Sequence, residues 1–150
     1  MNPLFFTVLF LIPLNGDYEL FKIKVIQLVN EYRLNGCNCG NQYMKPVTPL
    51  NWNDALGHSA AVHAIDMEKN HYFSHQSFNG MSISGRISQT GYDWGRVAEN
   101  IAYGQTNLRQ VIEGWMESPS HCINIMNPDF RDLGVAKKGK YWVMDLGVER

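Results

Sequence analysis

The chain has 150 residues, enough for one domain with a sizeable core, and 45% of them are hydrophobic. A formal net charge of −1 and 18% charged residues give no field to steer nucleic acid or an anionic membrane surface, which argues against a nucleic-acid partner. Aromatic residues make up 12%, a supply for a packed core or an aromatic-lined groove.

Residues 3–14 form an apolar run of the length of a signal-peptide h-region, too short for a membrane span. Residues 1–16 therefore read as a leader and 17–150 as the folded domain, in a protein that is secreted or associated with the cell envelope. The alternative is a buried N-terminal strand or helix. Residues 17–34 read as helix, with Phe21, Val25, Leu28, Val29 and Tyr32 on one stripe and Asn35-Gly36 as its stop. Gly, Asn, Cys and Pro make 36–50 a loop. Asn51 is expected to cap a second helix, with Asp54 three residues on as in a capping box. Its apolar stripe is Trp52, Ala55, Leu56, Ala60, His63 and Met67.

A short helix is expected over 82–89, ending at Gly91. Residues 96–103 alternate with the period of a strand, so Val97, Glu99, Ile101 and Tyr103 share a face. Thr106 or Asn107 caps a further helix with Leu108, Val111, Ile112, Trp115 and Met116 inward, which Pro119 ends. The stretch from Glu117 to Pro128 reads as a tight Ser/Pro turn. Leu133–Lys137 and Tyr141–Val148 flank a turn and read as a hairpin. Helices first and strands late give an α+β fold with a largely antiparallel sheet.

Three polar clusters stand in apolar surroundings: Phe73-Ser74-His75, Glu99-Asn100 in its strand, and Ser118-Pro119-Ser120-His121-Cys122. Buried ionisable groups are costly unless paired, so these clusters point to one site assembled by folding. Cys37, Cys39 and Cys122 allow one disulfide and leave one thiol, and export favours a bridge from the 37/39 pair to Cys122. A four-ligand zinc site finds no second cysteine pair.

The segments Pro49-Leu50-Asn51-Trp52-Asn53, His63-Ala64-Ile65-Asp66-Met67, Tyr72-Phe73-Ser74-His75, Glu99-Asn100-Ile101-Ala102, Gly114-Trp115-Met116-Glu117-Ser118-Pro119-Ser120-His121, Asn124-Ile125-Met126 and Leu133-Gly134-Val135-Ala136 follow one another in order. As a set they resemble the CAP superfamily of cysteine-rich secretory proteins, antigen 5 and plant pathogenesis-related proteins, in particular its bacterial SCP-like branch. The resemblance covers roughly residues 20–147. It implies a three-layer α-β-α sandwich and a surface cleft of two histidines and acidic residues. His75 matches the first cleft histidine, Glu99 the glutamate of the Glu-Asn motif, and His121 the second histidine. Glu117 is the nearest match to a second glutamate, at a different offset from the tryptophan. The resemblance also makes Cys39 the partner of Cys122, leaving Cys37 as a free thiol or in an alternative pair.

Two functional readings follow. In the first, the cleft of His75, Glu99, Glu117 and His121 binds a divalent metal such as Zn²⁺ through His75 and His121, or a small or lipid ligand, without catalysis. In the second, His75 and His121 hold Zn²⁺ and Glu99 acts as general base in a hydrolase of the protease or esterase kind. Against the second, two histidines fall one short of the usual three, and there is no His-Glu-x-x-His helix. A Ser-His hydrolase built on Ser118 or Ser120 is set aside, because no Gly-x-Ser-x-Gly elbow exists. His63 is expected as a buried, hydrogen-bonded core residue, and His58 and His71 at the surface.

Overall fold

The structure is a computed structural model that describes residues 15–150. The apolar run at 3–14 and the leader reading, up to its last two residues, lie outside the described residues. In chain order the elements are α1 (Asn15–Asn35), β1 (Cys37–Cys39), β2 (Gln42–Met44), β3 (Asn51–Trp52), α2 (Asp54–Asn70), α3 (Ile83–Gln89), β4 (Trp94–Tyr103), α4 (Leu108–Glu117), α5 (Pro119–Ile125), β5 (Asp132–Lys138) and β6 (Tyr141–Glu149). No described helix is long and apolar enough to cross a membrane.

The central sheet runs β3-β5-β6-β4, with β3 parallel to β5 and the other pairs antiparallel. Side chains alternate across it. Ile101 of β4 and Val143 of β6 pack under Ala60, Ala64 and Met67 of α2. Ala102, Trp142, Met144 and Leu146 point the other way, into a core with Val25 and Val29 of α1, Val111, Ile112 and Trp115 of α4, and Ile125 of α5. The result is the expected three-layer sandwich, α1, α4 and α5 on one face and α2 with α3 on the other.

The helical stripe on α2 is as predicted at Leu56, Ala60, His63 and Met67, all buried. Gly57 and Gly134 bring α2 close against β5: a Cβ on Gly134 would lie 2.0 Å from the Gly57 backbone nitrogen. Three local readings need correction. The cap of α2 is Asn53, whose side chain accepts from the amides of Ala55 and Leu56, because Asn51 is taken up in β3 beside Asp132. The stretch read as loop holds the β1–β2 hairpin. The stretch read as a Ser/Pro turn is the helix α5, since Pro119 sits in its first turn, where a missing N–H costs nothing.

Two side chains fix the lower layer. Asn30 exchanges hydrogen bonds with the Leu50 backbone, at 2.8 and 2.9 Å. Arg33 is fully buried and spends its donors on carbonyls of Thr48, Ile125, Asn127 and Phe130, which ties α1 to the C-terminus of α5. With no carboxylate paired to it among the described residues, burial, and then the Arg131 charge, push its guanidinium down to about 10.

Candidate functional site

The site is organised by two consecutive residues of the edge strand β4. Successive strand residues face opposite layers, so Glu99 turns toward α2 and α3 while Asn100 turns toward α5. The Glu99 carboxylate, with no exposed side-chain surface, takes a hydrogen bond from His75 Nδ1 at 2.8 Å and one from the Arg86 guanidinium at 2.5 Å. On the other face, Asn100 donates to the His121 carbonyl at 3.1 Å and accepts from Asn124 at 2.9 Å. One dipeptide thus positions both histidines from opposite sides of the sheet.

Arg86 is 4% exposed and holds more than Glu99. It also donates to the His75 carbonyl at 2.8 Å and the Ser77 hydroxyl at 2.9 Å, fixing the loop that carries His75. Beneath Glu99 lie two further buried groups. His63 is 3.8 Å from the carboxylate and donates Nε2–H to the Ser74 carbonyl at 2.7 Å, as a core histidine should. Asp145 of β6 is the cross-strand partner of Glu99 and is fully buried. Among the described residues, neither of its oxygens, nor the Ser59 hydroxyl, reaches a hydrogen-bond partner.

The charges sort themselves by environment. Burial works to raise the Glu99 carboxyl, but the His75 hydrogen bond and the Arg86 charge outweigh it and hold it below the usual range. Burial and the neighbouring Glu99 charge drive Asp145 well above the usual carboxylate range, which favours its neutral form. Burial lowers His63, which is therefore neutral. The buried cluster is one cation, one anion and two neutral groups, an arrangement that needs no external counter-ion.

His75 is half exposed. Because Glu99 can only accept, His75 Nδ1 carries the proton and the Nε2 lone pair is left free. His121, on α5, uses its Nδ1 in a 2.8 Å hydrogen bond with the Ser118 hydroxyl, and its Nε2 likewise has no partner among the described residues. Burial, and then the proximity of His75, lowers the His121 imidazole. The structure thus joins His75 to Glu99 and brings His121 within electrostatic reach of His75. Glu117 ends α4 at the surface and lines a cavity of about 360 Å³ with Tyr32, Cys37, Asn38, Glu113 and Met116. It makes no hydrogen bond or ion pair with either histidine among the described residues. His58 and His71 are exposed, as read.

Among the described residues, the group of three metal-ligating side chains with donor atoms within 4.8 Å of one another is Cys37, Cys39 and Cys122. His75, Glu99 and His121 do not form such a set, and Glu99 turns no face to solvent from which to act as a general base. Cys39 and Cys122 are bridged, with Cα atoms 5.4 Å apart, and Cys37 is free. The bridge pins β1 to α5 one residue from His121.

Sequence reasoning did not find Arg86, Asp145 or Ser59, or the place of His63 at the site. Two signals were there to be read: an arginine three residues after Ile83 on the inward stripe of a short helix, and a carboxylate in the apolar run from Tyr141 to Val148.

A family profile described as CAP, the cysteine-rich secretory protein family, matches residues 26–145. The chain is 32% identical over 133 residues to the uncharacterized protein YkwD of Bacillus subtilis (strain 168), covering 87% of this chain and 48% of YkwD. It is 30% identical over 125 residues to the uncharacterized membrane protein YlbC of the same organism, covering 83% of this chain and 36% of YlbC. The chain thus spans less than half the length of either relative. Its fold is similar to the crystal structure of an extracellular protein containing a SCP domain from Bacillus anthracis str. Ames. The TM-score is 0.77 at 24% identity, over 91% of this chain and 45% of that one.

Proposed function

The chain belongs to the CAP family of cysteine-rich secretory proteins, and from that premise we propose that it is an exported binding module whose cleft takes a divalent cation at His75 and His121. The observation that carries this reading is the hydrogen bonding of the two rings. Each imidazole has its Nδ1 engaged, by Glu99 in one case and Ser118 in the other, and neither Nε2 has a partner among the described residues. A carboxylate behind a histidine is the usual means of orienting a metal ligand and raising its basicity. Glu99 acts here as the orienting group, not as a ligand, because Arg86 and His75 occupy its oxygens. Two protein nitrogens make an open, exchangeable site for Zn²⁺, with solvent completing the coordination, and its affinity is modest for that reason.

Export rests on the apolar run at 3–14, on the bridge, which persists in an oxidising compartment, and on the extracellular relative from Bacillus anthracis. A lipid ligand has its own support in an apolar cavity of about 510 Å³ between α1, α2 and the sheet, lined by Tyr18, Phe21, Ala61, Leu108, Val135 and Trp142. The hydrolase reading is not carried forward, since its base is enclosed.

Calorimetric titration with Zn²⁺ in a Cys37→Ser background, which removes the one free thiol, tests the cation reading. His75→Ala and His121→Ala should each abolish binding. Glu99→Gln should weaken it by about 10–100-fold, the usual loss when an orienting partner is removed. Equal binding by all variants would overturn the proposal.

A further inference from the structure

The cysteine cluster is placed for chemistry as well as for bracing. Cys37 and Cys39 lie two apart on β1, so their side chains leave the same face of the strand, toward α5. Cys39 is bonded to Cys122, and the free Cys37 sulfur lies 3.9 Å from the same Cys122 sulfur. All three sulfurs fall within 4.8 Å of one another. A single acceptor thus has two donors, but that spacing is too short for a straight line through the sulfurs of Cys37, Cys122 and Cys39, so the Cys37 side chain must turn before its sulfur can displace Cys39.

We propose that Cys37 is an exchange thiol, and that the bridge to α5 is a thiol–disulfide exchange site with two interconverting isomers. The Cys37 thiolate attacks the Cys122 sulfur. A Cys37–Cys122 bond forms, the Cys39–Cys122 bond breaks, and its electron pair leaves on Cys39, which takes up the proton given up by Cys37. The step is redox-neutral and needs no added oxidant or reductant.

The surroundings set how readily Cys37 attacks. Cys39 and Cys122 are buried at 2% and 0% exposure, whereas Cys37 is partly exposed at the mouth of the cavity that Glu117 lines. That cavity presents Tyr32, Glu113 and Glu117 to it and no cation, and burial pushes the Cys37 thiol up. The nucleophile is therefore mostly protonated near neutral pH, which slows the exchange there, and the partly exposed thiol is the route by which the buried bridge is reached. Exchange moves the tether of α5 two residues along β1, next to His121.

The test is differential alkylation of the intact protein. Wild type is held at alkaline pH without oxygen or added thiol, quenched at intervals with iodoacetamide, and mapped by fragment spectra that separate positions 37 and 39. The initial label falls on Cys37. The expected result is a several-fold rise of label on Cys39, at a rate independent of protein concentration. Label confined to Cys37 throughout, or a rate that scales with concentration, overturns the proposal. Cys39→Ser gives a second reading: it should be isolated with a Cys37–Cys122 bridge and no free thiol, and two free thiols in folded Cys39→Ser would equally overturn it.

Discussion

Arg86→Met removes the cation that keeps Glu99 ionised while preserving most of the side-chain volume. The Arg86 and Glu99 side chains are 3% and 0% exposed, and the neighbouring Asp145, itself a carboxyl, offers Glu99 no countercharge. Removing one partner of a buried pair leaves the other charge uncompensated, at a cost of about 3–5 kcal/mol. For a chain of this size that lowers Tm by about 6–20 °C, at 2–4 °C per kcal/mol. The sign with pH is distinctive. In wild type the Glu99 carboxyl lies below its ordinary value of 4.5. Its contribution is therefore present above that value and is lost as pH falls through the folded-state pKa. Without Arg86 the carboxyl rises and this contribution disappears, so the gap between the two proteins must narrow as pH drops below 4.5. What remains at acid pH is the loss of the bonds to the His75 carbonyl and the Ser77 hydroxyl. Urea unfolding across this range measures the gap, and adding Glu99→Gln to Arg86→Met should restore a large part of the stability at neutral pH. A loss under about 1 kcal/mol, or a gap that does not change with pH, would refute the assignment of Arg86 as the buried counter-ion.

Asp145 carries the opposite sign. Its carboxyl is raised above the ordinary 3.8, so its contribution is fully present below that value and is lost as pH rises through the folded-state pKa. Asp145→Asn cannot titrate and should therefore gain on wild type as pH rises, in the same unfolding assay; a variant that loses ground with rising pH would show that Asp145 is ionised in the fold. Gly134→Ala should cost about 3 kcal/mol, the upper end for overpacking, because the new Cβ meets the Gly57 nitrogen and the Leu56 carbonyl carbon, and backbone cannot rotate away. An unfolding midpoint close to wild type would mean that α2 is less tightly seated on β5 than the structure shows.

What the sequence disclosed depended on whether a feature leaves a periodic trace. The α2 stripe of Leu56, Ala60, His63 and Met67 repeats with the helical period, and the sheet strands alternate, so both were legible. The β1–β2 hairpin was not, because its strands are three residues each and largely polar, with a disulfide and close packing in place of an apolar face. The cap of α2 was misplaced by two residues because Asn51 and Asn53 are equally good caps in isolation; only the pairing of β3 with β5 decides. Pro119 was read as an ending when it is also a beginning. At the candidate site, His75, Glu99 and His121 were singled out from their polar clusters and the family's motifs, whereas Arg86, Asp145 and Ser59 were missed. Their meaning is a tertiary contact, and a buried ionisable residue looks the same in sequence as an exposed one.

In the proposed cation site, Glu99 and Ser118 hold the two histidines by Nδ1 and leave each Nε2 for the ion. Long-range proton–nitrogen spectra of ¹⁵N-histidine protein, recorded during Zn²⁺ titration with Cys37 replaced by serine, test it atom by atom. His75 is expected to start as the Nδ1–H tautomer, the Nε2 signals of His75 and His121 to shift together to saturation, and His63 not to move. An initial Nε2–H tautomer at His75, or a Zn²⁺ response at His63, His58 or His71 in place of the cleft pair, would contradict it.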